Sequence, residues 1–169
     1  MKTIASLMLI SLFPFMGNAA ERLTVGDALP VVTCNDQDGK AVAVDKFGAS
    51  GYLLVYFYPK ANTPGCTKQG CSLRDSWGEL TKMGVKVLGV STDTEAKQKS
   101  FQAEQGFPFS LLADNDKKVV RAFKVPTTMG FASRSAYLFK DGVCVMADNE
   151  GHTGDQAAEV IKFLTSEKQ

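Results

Sequence analysis

The 169-residue sequence holds a single histidine, and its long apolar stretches are few. His152 stands far in sequence from Cys66, which speaks against a Cys–His protease. Within Gly151-His152-Thr153-Gly154 it reads as a solvated loop residue. Cysteine and histidine ligands at paired short spacings are missing as well, so no zinc site is expected. Charge of one sign is also missing: 19 basic residues face 18 acidic ones. That balance gives no electrostatic case for nucleic acid or an anionic membrane as partner. No run approaches the roughly 20 apolar residues that a spanning helix requires. Repeats, low-complexity tracts and Pro/Gly/Ser linkers are absent too.

The one sizeable apolar run is at the start. Lys2 precedes Ile4–Met16, about 13 residues, and Gly17-Asn18-Ala19-Ala20 supplies small residues for cleavage. We expect residues 1–19 to be an export signal cleaved after Ala19 or Ala20, with a retained anchor as the alternative. No cysteine at that point offers a lipid attachment. Cleavage removes Lys2 and leaves 18 basic residues against 18 acidic ones. The remaining 20–169 form one expected domain, large enough for a substantial core. It is expected to be periplasmic or secreted, without stable membrane association.

Residue patterns suggest alternating strands and helices. Val31–Cys34 and Val42–Val44 flank the turn cluster Asn35-Asp36-Gln37-Asp38-Gly39 as a small hairpin. Leu53–Tyr58 and Val85–Val90 are continuous apolar runs, expected as strands buried on both faces. Cys66–Met83 is expected as one helix with Cys66, Gly70, Leu73, Trp77 and Leu80 on a buried stripe. Helices are expected over Glu95–Gln105, Lys117–Phe123 and Asp155–Thr165, and a strand over Phe109–Leu112. Ser135–Phe139 and Val143–Ala147 flank Asp141-Gly142, a hairpin turn. This order implies an α/β fold with a central mixed sheet flanked by helices, thioredoxin-like, with an N-terminal hairpin extension.

Four cysteines in an exported chain would ordinarily suggest two structural disulfides. A domain of this size does not need them, and the placement of Cys66 suggests chemistry instead. Cys66 stands where a buried strand ends and a helix begins. The first N–H groups of a helix lack intrahelical partners and carry the positive end of its dipole. A thiol held there loses its proton readily, and the thiolate is the nucleophile. Cys71 follows five residues later. On an ideal helix their Cα atoms stand roughly 8.7 Å apart, beyond the roughly 7 Å limit for a disulfide. A bond between them therefore demands that the first helical turns unwind. Gly65 and Gly70 lower the cost of doing so.

Pro59, Thr63 and Cys66 form a Pro-x-x-x-Thr-x-x-Cys signature, with Cys71 five residues on. Cys71-Ser72-Leu73-Arg74-Asp75, Val87–Asp93 and Arg134–Gly142 extend the similarity over most of the chain. In these features the sequence resembles the peroxiredoxins, in particular their bacterioferritin comigratory protein or Q-type branch. The resemblance implies Cys66 as peroxidatic nucleophile and Cys71 as resolving cysteine. It implies a Thr63 hydroxyl directed to the thiolate, Pro59 shielding the pocket, and Arg134 stabilising thiolate and peroxide oxygens. It also implies hydroperoxide substrates, a thioredoxin-like dithiol reductant, no metal or other cofactor, and a monomer.

Cys34 and Cys144 lie outside that signature. They are buried free thiols, a second disulfide, or competitors for the resolving role. Two other functions stay open on the residues alone. A general thiol–disulfide oxidoreductase normally carries Cys-x-x-Cys at its helix start, which this chain lacks. A stapled, non-enzymatic binding or holdase domain would be indifferent to peroxide.

Overall fold

The computed structural model describes residues 22–167, so the expected leader lies outside the described residues. In chain order come β1 (Thr33–Asn35), β2 (Ala41–Ala43), α1 (Val44–Phe47), β3 (Tyr52–Phe57), α2 (Pro64–Asp75) and α3 (Trp77–Lys82). They are followed by β4 (Val85–Ser91), α4 (Glu95–Gln105), β5 (Ser110–Ala113) and α5 (Lys118–Ala122). The rest comprises β6 (Thr127–Thr128), β7 (Phe131–Ala132), β8 (Ser135–Lys140), β9 (Val143–Asp148) and α6 (Gln156–Ser166).

Five strands make the central sheet, in the order β5-β4-β3-β8-β9. β3 and β4 pair in parallel, as do β4 and β5, while β8 runs antiparallel to both β3 and β9. β1 and β2 form the expected N-terminal hairpin. The sheet is thus mixed and thioredoxin-like.

The reason β3 sits in the middle is visible in its side chains. Leu53 to Tyr58 are all fully buried. Because successive strand residues point to opposite faces, Leu53, Val55 and Phe57 enter one core while Leu54, Tyr56 and Tyr58 enter the other. The first core is closed by Val44 of α1 and by Val119 and Val120 of α5, with Phe123 just beyond it. The second is closed by Cys66 and Leu73 of α2, Leu80 of α3, Phe101 of α4, and Ala157, Val160 and Leu164 of α6. Opposite Tyr56 in the register lies Gly89. A Cβ there would meet the Tyr56 hydroxyl at 2.8 Å and Leu111 at 2.6 Å, so the ring takes the place of a side chain.

The helix expected over Cys66–Met83 is two helices. Ser76 (φ −97°, ψ 10°) both ends α2 and precedes α3. Leu73 and Leu80 continue the buried stripe across the break, but Trp77 is only half-buried, with its ring 5.7 Å from that of Phe109. The other expected elements are present with ends displaced by one or two residues, while α1, β6 and β7 were not expected.

Candidate active site

The segment between β3 and α2 is held in place before any chemistry begins. Tyr58 donates its backbone N–H to Val90 O at 3.1 Å and its hydroxyl to Gln98 Oε1. Gln98 Nε2 in turn donates to Ser91 Oγ (3.0 Å) and Leu112 O (2.7 Å). Ser91 donates to Asp93 Oδ2 (2.9 Å), which also accepts the Ala61 N–H (2.8 Å). Every member of this chain is buried, so it fixes the path of residues 58–61 as a satisfied polar network. Burial also raises the Tyr58 hydroxyl well above the usual phenol range.

Helix α2 starts two residues before Cys66. Pro64 occupies the first helical position, where its missing N–H costs nothing. Thr63 is the N-cap residue, but its side chain makes no capping bond; its hydroxyl donates to Lys60 O at 2.9 Å. Cys66 therefore lies in the first turn, among the N–H groups that no intrahelical carbonyl reaches. Its side chain is nearly sealed, with 1% of the residue exposed. Pro59 is half-buried at the start of the same loop.

Arg134 comes to this sulfur from the short connection between β7 and β8. Its Nη2 donates to Cys66 Sγ at 3.4 Å, and its Nη1 donates to Gln69 Oε1. Two glycines make the approach possible. A Cβ on Gly65 would meet Nη2 at 3.2 Å. Gly151 has φ +68°, and a Cβ there would meet Arg134 Cγ at 2.4 Å and its carbonyl carbon at 2.6 Å. The guanidinium thus carries positive charge to the sulfur. Positive charge there can hold negative charge building on an oxygen bound beside the sulfur.

Cys71 is half-buried, about one and a half turns past Cys66 on α2, with its thiol 3.9 Å from Gln105 Oε1. Arg74, on the same helix, donates to Gln105 O at 2.7 Å. Both cysteines stand free within a continuous helix. Cys34 and Cys144 are free and buried as well. Burial pushes the Cys34 thiol up to about 12, with Asp114 and Asp116 adding to the effect. It pushes Cys144 up to about 11 against a partly offsetting bond from its thiol to the Met146 carbonyl. The two are thus buried free thiols here and are not joined to each other.

Around Arg134 stand residues the sequence reading did not single out. Gln69, fully buried on α2, donates Nε2 to Gln156 Oε1 at 3.0 Å. Its position three residues past Cys66, on the buried side of the helix, is the signal that would have pointed to it. The 149–155 segment behind Arg134 is tied by Asp148, whose carboxylate accepts the backbone N–H groups of Glu150 (3.1 Å), Gly151 (2.9 Å) and His152 (3.3 Å). His152 is exposed, as expected, yet its Nδ1 lies 3.3 Å from Asp148 and 3.0 Å from Glu159. The hydrogen bond to Asp148 and the charge of Glu159 raise its pKa. This is the one group among the described residues with spacing suited to a cation. Both carboxylates approach the same ring nitrogen, which favours the protonated form of the imidazole.

Residues 25–147 match the AhpC/TSA family. Chloroplastic peroxiredoxin Q of Triticum aestivum is 41% identical over 152 residues, covering 88% of this chain and 70% of the relative. Its counterpart from Oryza sativa subsp. japonica is 38% identical over 149 residues, covering 86% of this chain and 68% of the relative. Among solved structures, a mutant of PrxQ from Xylella fastidiosa superposes with TM-score 0.80 at 28% identity, over 88% of this chain and 99% of that one. The bacterioferritin comigratory protein of Xanthomonas campestris, solved in connection with its alkyl peroxide reduction activity, gives TM-score 0.76 at 30% identity. That match covers 85% of this chain and all of the other.

Proposed function

Since the chain belongs to the AhpC/TSA family and is a thiol-dependent peroxidase of the peroxiredoxin Q type, we propose that Cys66 is its peroxidatic nucleophile and Cys71 its resolving cysteine. The observation that carries this reading is the guanidinium of Arg134 on the sulfur of a cysteine in the first turn of α2. The Cys66 thiolate attacks one peroxide oxygen; an S–O bond forms as the O–O bond breaks. The second oxygen leaves with the electron pair and takes a proton, giving water or an alcohol. Cys66 is left as the sulfenic acid.

Arg134 holds the departing charge, and the Thr63 hydroxyl turns from the Lys60 carbonyl to the bound peroxide. Pro59 closes the pocket on its loop side. Cys71 then attacks the Cys66 sulfur: the S–S bond forms, the S–O bond breaks, and the hydroxyl leaves as water with the Cys71 proton. A thioredoxin-type dithiol returns both thiols by exchange and is itself oxidised to a disulfide. Since the two cysteines share one helix, the second step requires the first turns of α2 to unwind.

Substrates of this site are hydrogen peroxide and small organic hydroperoxides, and the protein acts as a monomer. The apolar leader with its small-residue cleavage site supports a periplasmic or secreted location for a single domain over 20–169. An exported peroxidase is out of reach of cytosolic thioredoxin, so its reductant is a thioredoxin-like dithiol protein of the same outer compartment. Cys66→Ser tests the assignment of the nucleophile: peroxide consumption should vanish while the circular dichroism spectrum and melting profile stay those of the parent. Retained turnover in that variant would reject Cys66 as nucleophile.

A further inference from the structure

We propose that Gln156, in the first turn of α6, is a positioning residue that sets Arg134 through Gln69 and clamps the cysteine-bearing helix in its folded state. The proposal rests on the peroxidase reading above and concerns what holds its geometry. Arginine has donors only. Its contact with Gln69 therefore forces the Gln69 carbonyl oxygen toward Arg134, which turns the Gln69 amide nitrogen toward Gln156. Gln156 must answer with its own carbonyl oxygen. Its amide nitrogen is then left without a partner among the described residues, although the side chain is fully buried. A buried donor without an acceptor costs stability. Here it follows from the direction of the chain Arg134→Gln69→Gln156, and an acceptor at residue 156 fixes that direction.

A second contact joins the same two helices. Asp155 makes no side-chain capping bond at the start of α6. The Ala157 N–H in that turn is taken instead by Ser72 Oγ of α2, at 3.3 Å. Gln69 lies between Cys66 and Cys71, and Ser72 follows Cys71 directly. Unwinding the first turns of α2 would thus pull Gln69 from Gln156, draw Ser72 from Ala157 and release Arg134. Gln156 accordingly acts on the two chemical steps in opposite directions. It favours attack on peroxide by keeping Arg134 on Cys66, and it delays disulfide formation by keeping the helix wound.

The test follows both steps by stopped-flow fluorescence of Trp77 with hydrogen peroxide. The first phase scales with peroxide concentration and the second does not. Gln156→Met keeps the length of the side chain but removes the acceptor. It should slow the first phase and accelerate the second, each by roughly three- to tenfold, the range of one hydrogen bond. Gln156→Glu restores an acceptor for Gln69 and should return the first phase toward the parent rate. A purely structural role would not split the phases in this way. Both phases unchanged, or both slowed, in a folded Gln156→Met variant would overturn the proposal.

If that variant fails to fold, Ser72→Ala decides. It should accelerate the second phase and leave the first alone, and an unchanged second phase would overturn the clamp. A parent protein lacking any fast peroxide-dependent phase would refute the peroxidase reading itself, a result distinct from all of these.

Discussion

Replacing Gly151 with alanine should slow the chemistry at Cys66 although residue 151 does not touch the sulfur. The added Cβ would lie 2.4 Å from Arg134 Cγ, 2.6 Å from its carbonyl carbon and 2.7 Å from its Cβ. Residue 151 also has φ +68°, a conformation that costs a side-chain-bearing residue about 1–2 kcal/mol. Overpacking adds about 1–3 kcal/mol. The strain is relieved by separating the loop from Arg134. The loop is fixed by three N–H bonds to Asp148, so part of the displacement falls on the guanidinium.

Its bond to Cys66 is 3.4 Å, an ordinary length for a sulfur acceptor, and a shift of about 1 Å would remove it. A hydrogen bond to a charged group is worth about 1.5–3 kcal/mol, so oxidation should slow by roughly 10- to 150-fold. Stopped-flow oxidation by hydrogen peroxide, alongside thermal melting, measures both effects. An oxidation rate within twofold of the parent, with melting temperature lowered, would show that Arg134 is not held on Cys66 by this loop or does not assist the attack.

Cys34 and Cys144, pushed up to about 12 and about 11, should resist alkylation of the native protein. At pH 8 only about one molecule in 10⁴ for Cys34 and one in 10³ for Cys144 carries the thiolate, against roughly a quarter for an ordinary thiol. Mass spectrometry after brief iodoacetamide treatment should find both unlabelled until denaturant is added, and rapid native labelling of either would contradict their burial. The His152 pairing should make the 148–152 turn pH-sensitive. Its folded pKa is raised, so the stabilisation is complete below about 6.5, the unfolded value, and is lost as pH rises through the folded value. Amide exchange at Gly151 and His152, corrected for intrinsic rates, should be faster at pH 9 than at pH 5.5. Equal protection would mean that the ion pair does not order the turn.

The sheet was readable from the sequence because its central strands are buried on both faces, and unbroken apolar runs such as Leu53–Tyr58 have few other uses. The turn Asp141-Gly142 was readable for a different reason: both residues take positive φ, and this pair tolerates it. The turn of the β6–β7 hairpin has the same backbone at Met129 and Gly130 (φ 51° and 88°). Met-Gly carries no such signature, and the hairpin went unforeseen. The break at Ser76 was hidden because Leu73 and Leu80 keep helical spacing across it.

At the site, Cys66 and Cys71 were singled out by their place at a helix start, whereas Pro59 and Thr63 were assigned through the family resemblance that their spacing to Cys66 carries. Arg134 was found through resemblance, since nothing local distinguishes it from a surface arginine. Gln69, Gln156 and Gly151 were missed because their significance is purely spatial. Two buried amides matter only once an arginine is seen to orient them, and a glycine matters only once the arginine is seen to lie against it.

Cys66 is proposed to react with peroxide first, and Cys71 then to reach it by unwinding α2. Reduced protein, mixed with one equivalent of hydrogen peroxide and followed by Trp77 fluorescence, tests this when the product is mapped by mass spectrometry. Rapid oxidation and a Cys66–Cys71 disulfide are expected. Oxidation no faster than that of an ordinary thiol, or a bridge to Cys34 or Cys144 in place of Cys71, would contradict the proposal.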